Sequence, residues 1–75
     1  MIFIADERSL DNIAHKLTIG GDSYALAIAR LNNIEGEYKR TGLVQVGQAI
    51  SIPDNWIRPE MKARLNAAGY VVGEQ

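Results

Sequence analysis

The sequence predicts a small α+β domain: a two-stranded antiparallel sheet packed on a helix pair, followed by a C-terminal extension with a short helix. Three observations carry this expectation. Met1-Ile2-Phe3-Ile4-Ala5 is an apolar run too short for a buried helix, so it reads as a strand. Leu10, Ile13, Ala14 and Leu17 recur at helical spacing behind Ser9, a residue suited to cap a helix. Ala49-Ile50-Ser51-Ile52 alternates with period two and stops at Pro53, which cannot donate a ladder hydrogen bond. Two strands with helices between them favour antiparallel pairing. Residues 1–53 form the βααβ unit, and residues 54–75 form the extension.

The elements follow in order. Asp6-Glu7-Arg8 turns the chain after the first strand. Asp11 falls in the first turn of the first helix and His15 and Lys16 in its last, each on the side that the helix dipole favours. Gly20-Gly21 breaks the chain, and Asp22-Ser23 offers a second cap. Tyr24, Ala27, Ile28 and Leu31 then share a face at i, i+3, i+4 and i+7. Asn32-Asn33 suits a helix exit, because Asn tolerates the left-handed conformation. Residues 34–42 contain two glycines among charged and polar residues and read as an exposed loop with at most one helical turn. Tyr38 either folds back on the core or stands out from it. Gly47-Gln48 reads as a turn before the second strand, in which Ile50 and Ile52 share a side. Asp54 to Ile57 is a turn carrying the only tryptophan. Pro59 opens a third helix, with Met61, Leu65 and Ala68 on one face and Gly69 as its stop. Tyr70-Val71-Val72 reads as a short third strand or a tail lying on a partner, and the last three residues fray.

Composition narrows the function. A chain of 75 residues, 47% hydrophobic, is one domain with a modest core. It has no cysteine, so packing rather than disulfides or thiolate-bound metal must hold it. The formal net charge is -1, and the clusters Lys39-Arg40 and Lys62/Arg64 have acidic neighbours. That excludes the concentrated positive surface a nucleic-acid phosphate backbone requires. No membrane span and no signal peptide are visible, since the apolar start is five residues long and charged residues follow at once. The chain is expected to be cytoplasmic, virion-associated or a fragment of an exported protein.

The order of motifs resembles the LysM family of small βααβ modules. Phe3-Ile4-Ala5 falls where the family has its opening Tyr-x-Val strand. Ser9-Leu10-Asp11-Asn12-Ile13-Ala14 falls on the pattern Thr-Leu-x-x-Ile-Ala. Leu31-Asn32 falls on the Leu-Asn that closes the second helix. Val46 to Pro53 falls on the ending Pro-Gly-Gln-x-Leu-x-Ile-Pro, with Val46 replacing its first proline. The resemblance covers residues 2–53. Glu7-Arg8 departs from the family's Gly-Asp, and the segment 33–47 is longer than in compact members. Ile13-Ala14-His15-Lys16 and Gly21-Asp22-Ser23 are similar to LysM proteins of phage tails and contractile injection baseplates.

The resemblance implies binding of N-acetylglucosamine-containing chains, either peptidoglycan or chitin-like oligosaccharide. Carried over by position, one wall of the groove is Asp6, Glu7, Arg8, Ser9 and Leu10. The other is Asn32, Asn33 and Ile34. The alternative is a protein scaffold or adaptor in a tail, baseplate or similar assembly, with Trp56, Ile57, Met61, Leu65 and Tyr70 as anchors on the extension.

The residues point to no enzyme, metal or cofactor. His15 is the single histidine. Glu35 and Glu37 sit in a glycine-containing stretch, whereas a glycosidase needs two carboxylates held across a cleft. Ser9, Ser23 and Ser51 lack an evident base. Gly20-Gly21-Asp22-Ser23 lacks the lysine and spacing of a phosphate loop.

Overall fold

Ile2–Ile4 (β1) and Ala49–Ser51 (β2) pair antiparallel in the computed structural model, which describes residues 1–73. The register sets Phe3 opposite Ile50, and both side chains turn into the core. Between the strands run Leu10–Leu17 (α1), Ala25–Leu31 (α2) and Glu35–Thr41 (α3). After them comes Pro59–Ala67 (α4). The result is an α+β fold with two antiparallel strands and four helices among the described residues. No helix there is long and apolar enough to cross a membrane.

Helix α1 begins where Ser9 Oγ accepts a hydrogen bond from the Asn12 N–H at 3.2 Å, and it buries Leu10, Ile13, Ala14 and Leu17. Its last turn runs into Thr18, a fully buried polar residue. The Thr18 hydroxyl donates to the Ala14 carbonyl at 2.7 Å and lies 3.1 Å from that of Gly21. Burial costs little here because the hydroxyl is satisfied.

Helix α2 differs from expectation in its start and in its face. The 3-10 turn Gly21–Tyr24 precedes it, and neither Asp22 nor Ser23 caps it with a side chain. The Ser23 hydroxyl donates back to the Gly20 carbonyl instead. The buried stripe is Ala25, Ile28 and Ala29, while Leu31 is exposed. Asn32 completes this stripe at the i+7 position. The helix is thus rotated so that small side chains meet α1 and the Asn32 amide meets the sheet. The close approach at Gly20 is of another kind: a Cβ there would fall 2.0 Å from atoms of the Tyr24 ring. Only glycine leaves room for Tyr24 to turn edge-on to Trp56, with ring centroids 5.3 Å apart.

The exit of α2 is a complete left-handed cap. Asn33 has φ 59°, its N–H reaches the Arg30 carbonyl at 3.2 Å, and the Ile34 N–H reaches that of Ala29 at 2.9 Å. Asn32 takes a different role. Its Oδ1 accepts from the Ser51 N–H at 2.7 Å, and its Nδ2 donates to the Ser51 carbonyl at 2.9 Å. Ser51 lies on the free edge of β2, so one side-chain amide replaces a third strand there. The outer edge of β1 receives a similar guard: the Tyr70 hydroxyl accepts from the Ile4 N–H at 3.2 Å. Unpaired strand edges invite pairing with other chains, and both edges carry a side-chain cap.

The stretch 35–41, expected as a loop, is the two-turn helix α3. Its charges are ordered for one. Glu35 and Glu37 lie in the first turn and Lys39 and Arg40 in the last, and Gly42 at φ 72° closes it. Glu35 pairs with Lys39 at 2.9 Å and with Arg30 at 3.2 Å, and Glu37 pairs with Arg40. The Lys39 and Arg30 hydrogen bonds hold the Glu35 carboxyl below its usual range. At Gly36 an added Cβ would meet nothing within 4 Å. Gly36→Ala is therefore expected to raise stability by about 0.5–1 kcal/mol, read as a higher midpoint in urea unfolding at constant slope.

Residues 54–73 close over the same core. Ile57, Leu65 and Val72 are buried with Phe3, Leu17 and Ile52. The Ile19 N–H donates to Trp56 O at 2.9 Å, and the Arg58 N–H donates to Leu17 O at 2.8 Å. Tyr70 stacks on Phe3 at 5.3 Å. The stretch 70–72 is not a third strand, and Ala68 is exposed, leaving Leu65 as the buried residue of α4. Of the last three residues, expected to fray, the Gly73 N–H donates to Asp54 Oδ2 at 2.9 Å, and residues 74 and 75 lie outside the described residues.

Candidate functional site

A groove of about 410 Å³ runs between the turn ahead of α1 and the connection from α3 to β2. Its two sides are joined at one end. The Leu10 N–H donates to Gly42 O at 3.3 Å, and the Val44 N–H donates to Arg8 O at 2.7 Å. This bridge brings residues far apart in sequence into one wall. Ile34, Leu43 and Val44 supply apolar surface, and Gln45 and Gln48 supply amides. Arg8 supplies a guanidinium that makes no ion pair among the described residues. Glu37, Arg40 and Thr41 complete the rim from α3.

The rim is partly committed to itself. Arg40 pairs with Glu37, and the Thr41 hydroxyl donates to the Glu37 carbonyl at 3.1 Å while accepting from the Leu43 N–H. The Gln48 side-chain Oε1 accepts from the Gln45 N–H at 3.1 Å, which orients its amide. Among the described residues Glu37 is the one carboxylate lining the groove, so the paired carboxylates of glycoside hydrolysis are not assembled there. Nor do three His, Cys, Asp or Glu side chains converge as metal ligands among the described residues. The groove offers hydrogen-bond donors, one cation unpaired among the described residues and a strip of apolar contact.

Only part of the wall expected from the sequence lies on this groove. Arg8 and Ile34 do. Leu10 does not: it is fully buried, because it is the first residue of the α1 core stripe. Ser9 is used as the helix cap. Asn32 is held by Ser51. Asn33 is exposed at the end of α2, where its backbone forms the left-handed cap. Asp6 and Glu7 turn away toward α1, where Lys16 Nζ lies 2.8 Å from Asp6 and 3.1 Å from Glu7. Burial works against the Lys16 charge, but these two hydrogen-bonded carboxylates outweigh it and raise its pKa. The extension's anchors are likewise spent internally. Ile57 and Leu65 are buried, and Trp56, Met61 and Tyr70 pack half-buried against the core. The reason is area: without them the faces of Phe3, Leu17 and Ile52 would meet water.

Helix α3 owes its position, and the groove its outer wall, to Tyr38. The ring packs against the core and its hydroxyl donates to Asp11 Oδ1 at 2.6 Å. That hydrogen bond, then partial burial and the Asp11 charge, push the Tyr38 pKa up to about 12. A raised pKa means stabilisation that is complete below the ordinary tyrosine range of about 10 and lost as pH rises through about 12. Phenolate absorbance is expected to show Tyr38 titrating above the ordinary tyrosine range, and Asp11→Asn to bring it back toward that range.

Glu37, Arg40, Thr41, Leu43, Val44 and Gln45 come from the long segment 33–47, which the resemblance implies would enlarge the groove's other wall, but neither they nor Gln48 are singled out as site residues by the sequence. The acid-first, base-last order of 35–40 with Gly42 behind it is the signal that reveals α3 and its wall. The chain matches no protein-family model, no curated protein and no solved structure.

Proposed function

We propose that the chain is a non-catalytic binding module of the LysM type, and that it takes an N-acetylglucosamine-containing glycan, most simply peptidoglycan, in the groove beside Arg8. The observation that carries this is the groove itself. It lies between the turn ahead of α1 and the connection into β2, and it combines amides, a guanidinium without an ion pair among the described residues and a short apolar strip. Sugar hydroxyls and acetamido groups are met by such donors, and acetamido methyls by Ile34 and Leu43. The stem-peptide carboxylates of peptidoglycan, and the lactyl carboxylate where no peptide is attached, suit Arg8. Support also comes from the element order up to β2, in which the two strands flank α1, α2 and α3.

The groove is shallow and open, so a single copy binds weakly, with Kd on the order of 1 mM for a short oligomer. The test is an NMR titration with N-acetylglucosamine oligomers and soluble peptidoglycan fragments. Saturable shifts are expected at Arg8, Ile34, Val44, Gln45 and Gln48, and Arg8→Ala should weaken the muramyl-containing fragments more than the neutral oligomers. No shifts at millimolar ligand, or shifts away from these residues, would overturn the reading.

A protein adaptor in a tail or baseplate-like assembly is the second reading. One observation favours it: the outer sheet face shows Ile2 at 55% and Ile4 at 44% exposure. Mixing with the assembly's other components and reading loss of the Ile2 and Ile4 amide signals would test it.

A further inference from the structure

We infer that the chain carries a second ligand site, for a carboxylate attached to a small apolar group, in the cleft between the C-terminal half of α1 and α4. The cleft is a cavity of about 320 Å³ lined by His15, Lys16, Arg58, Glu60, Met61 and Arg64. It shares no residue with the groove beside Arg8, and the inference does not rest on the glycan reading.

Three observations converge. First, Arg58 Nε is buried and finds no acceptor among the described residues. Arginine stays charged at any physiological pH, so this is a donor on a permanent cation without an oxygen to meet it. The guanidinium's contact with Glu60 is loose, 3.9 Å from Nη1. Second, the end of this side chain and the ring of His15 come together at one point beside Gly21. A Cβ on Gly21 would lie 3.9 Å from Arg58 Nη2 and 3.8 Å from His15 Nδ1. Third, Arg64 reaches the same cavity from the next turn of α4 and has no carboxylate within ion-pair distance among the described residues. Arg58, whose one carboxylate contact is the loose one to Glu60 on the cleft's rim, and Arg64, which has none among the described residues, face one space that suits an oxyanion, and the planar fork of arginine matches a carboxylate.

The apolar part of the ligand follows from what adjoins the cleft. Lys16, Met61 and Arg64 also line a second cavity of about 400 Å³, whose walls include Phe3, Leu17, Leu65 and Tyr70. A ligand with its carboxylate between Arg58 and Arg64 would therefore rest its apolar group on Met61 and Tyr70. A peptide C-terminus and a free acyl amino acid both have this chemistry.

The experiment is a titration of the full chain, followed by amide and arginine Nε–H signals, with four probes. They are N-acetyl-leucine, N-acetyl-leucinamide, inorganic phosphate and an acetylated tetrapeptide ending in leucine. N-acetyl-leucine is expected to shift Gly21, Arg58 Nε–H and Met61 saturably, with Kd on the order of 1 mM. The amide should bind at least tenfold more weakly, and phosphate should shift Arg58 but not Met61. Arg58→Gln and Arg64→Gln should each weaken N-acetyl-leucine about tenfold. Arg64 is exposed, so its variant keeps the test sound if the Arg58 variant fails to fold. Tighter binding of the tetrapeptide identifies a peptide C-terminus as the source, and equal binding identifies a small acid. Equal shifts from acid and amide, or no saturable shift from the acid on the order of 10 mM, would overturn the site. Because the residues are disjoint, a failed glycan titration leaves this result unaffected, and the reverse holds too.

Discussion

Replacing Asn32 by alanine is expected to remove about 2–3 kcal/mol of stability, a large share for one residue that is only half-buried. Its amide makes three hydrogen bonds, two to the Ser51 backbone and one to the Ile28 carbonyl at 2.8 Å. Alanine leaves the Ser51 N–H and carbonyl facing the foot of α2 with no partner. A domain of this size has a total stability of roughly 4–11 kcal/mol, so the change is visible as a clear drop in the urea midpoint. Asn32→Asp is the sharper control. Its carboxylate still accepts from the Ser51 N–H, but it sets negative charge against two carbonyls where an N–H group donated. It is expected to cost at least as much as alanine above the carboxylate pKa, and to recover as acid protonates it. If Asn32→Asp unfolds at the native midpoint, the amide is not oriented as described.

Leu10→Ala is the second large effect, with an expected cost of about 2–5 kcal/mol. Leu10 is fully buried in the core that also holds Ile13, Leu17, Ile28 and Ile50, and truncation leaves a void that the surrounding helices fill only in part. The same substitution separates core from site. If the residue served a ligand, the variant would lose affinity at unchanged stability. The structure predicts the reverse, a lowered melting temperature and normal binding in whatever fraction stays folded.

The two strands, α1 and α4 are legible in the sequence because each has local punctuation. Ser9 caps α1, Pro53 stops the run that holds β2, and Pro59 starts α4. Helix α2 is legible as a helix but not in its rotation. The periodicity admits two stripes one position apart, and the choice between them depends on the Ser51 edge waiting for Asn32. Helix α3 is hidden by two glycines, although Gly36 has open space beside it and Gly42 is the stop itself. Half the groove is hidden with it. The anchors on the extension suggest an outward surface because hydrophobic residues look alike whether they cover a partner or their own core.

The pairing of Phe3 with Ile50 has a kinetic consequence. The sheet joins segments separated by most of the chain, and three helices lie between them. Closing so long a loop costs entropy before the strands return any contact energy. The helices α1 to α3 can collapse locally while the strands still search for each other. Folding should then be slower than the helix content suggests, and conservative substitutions in β1 should change the unfolding rate far more than the folding rate.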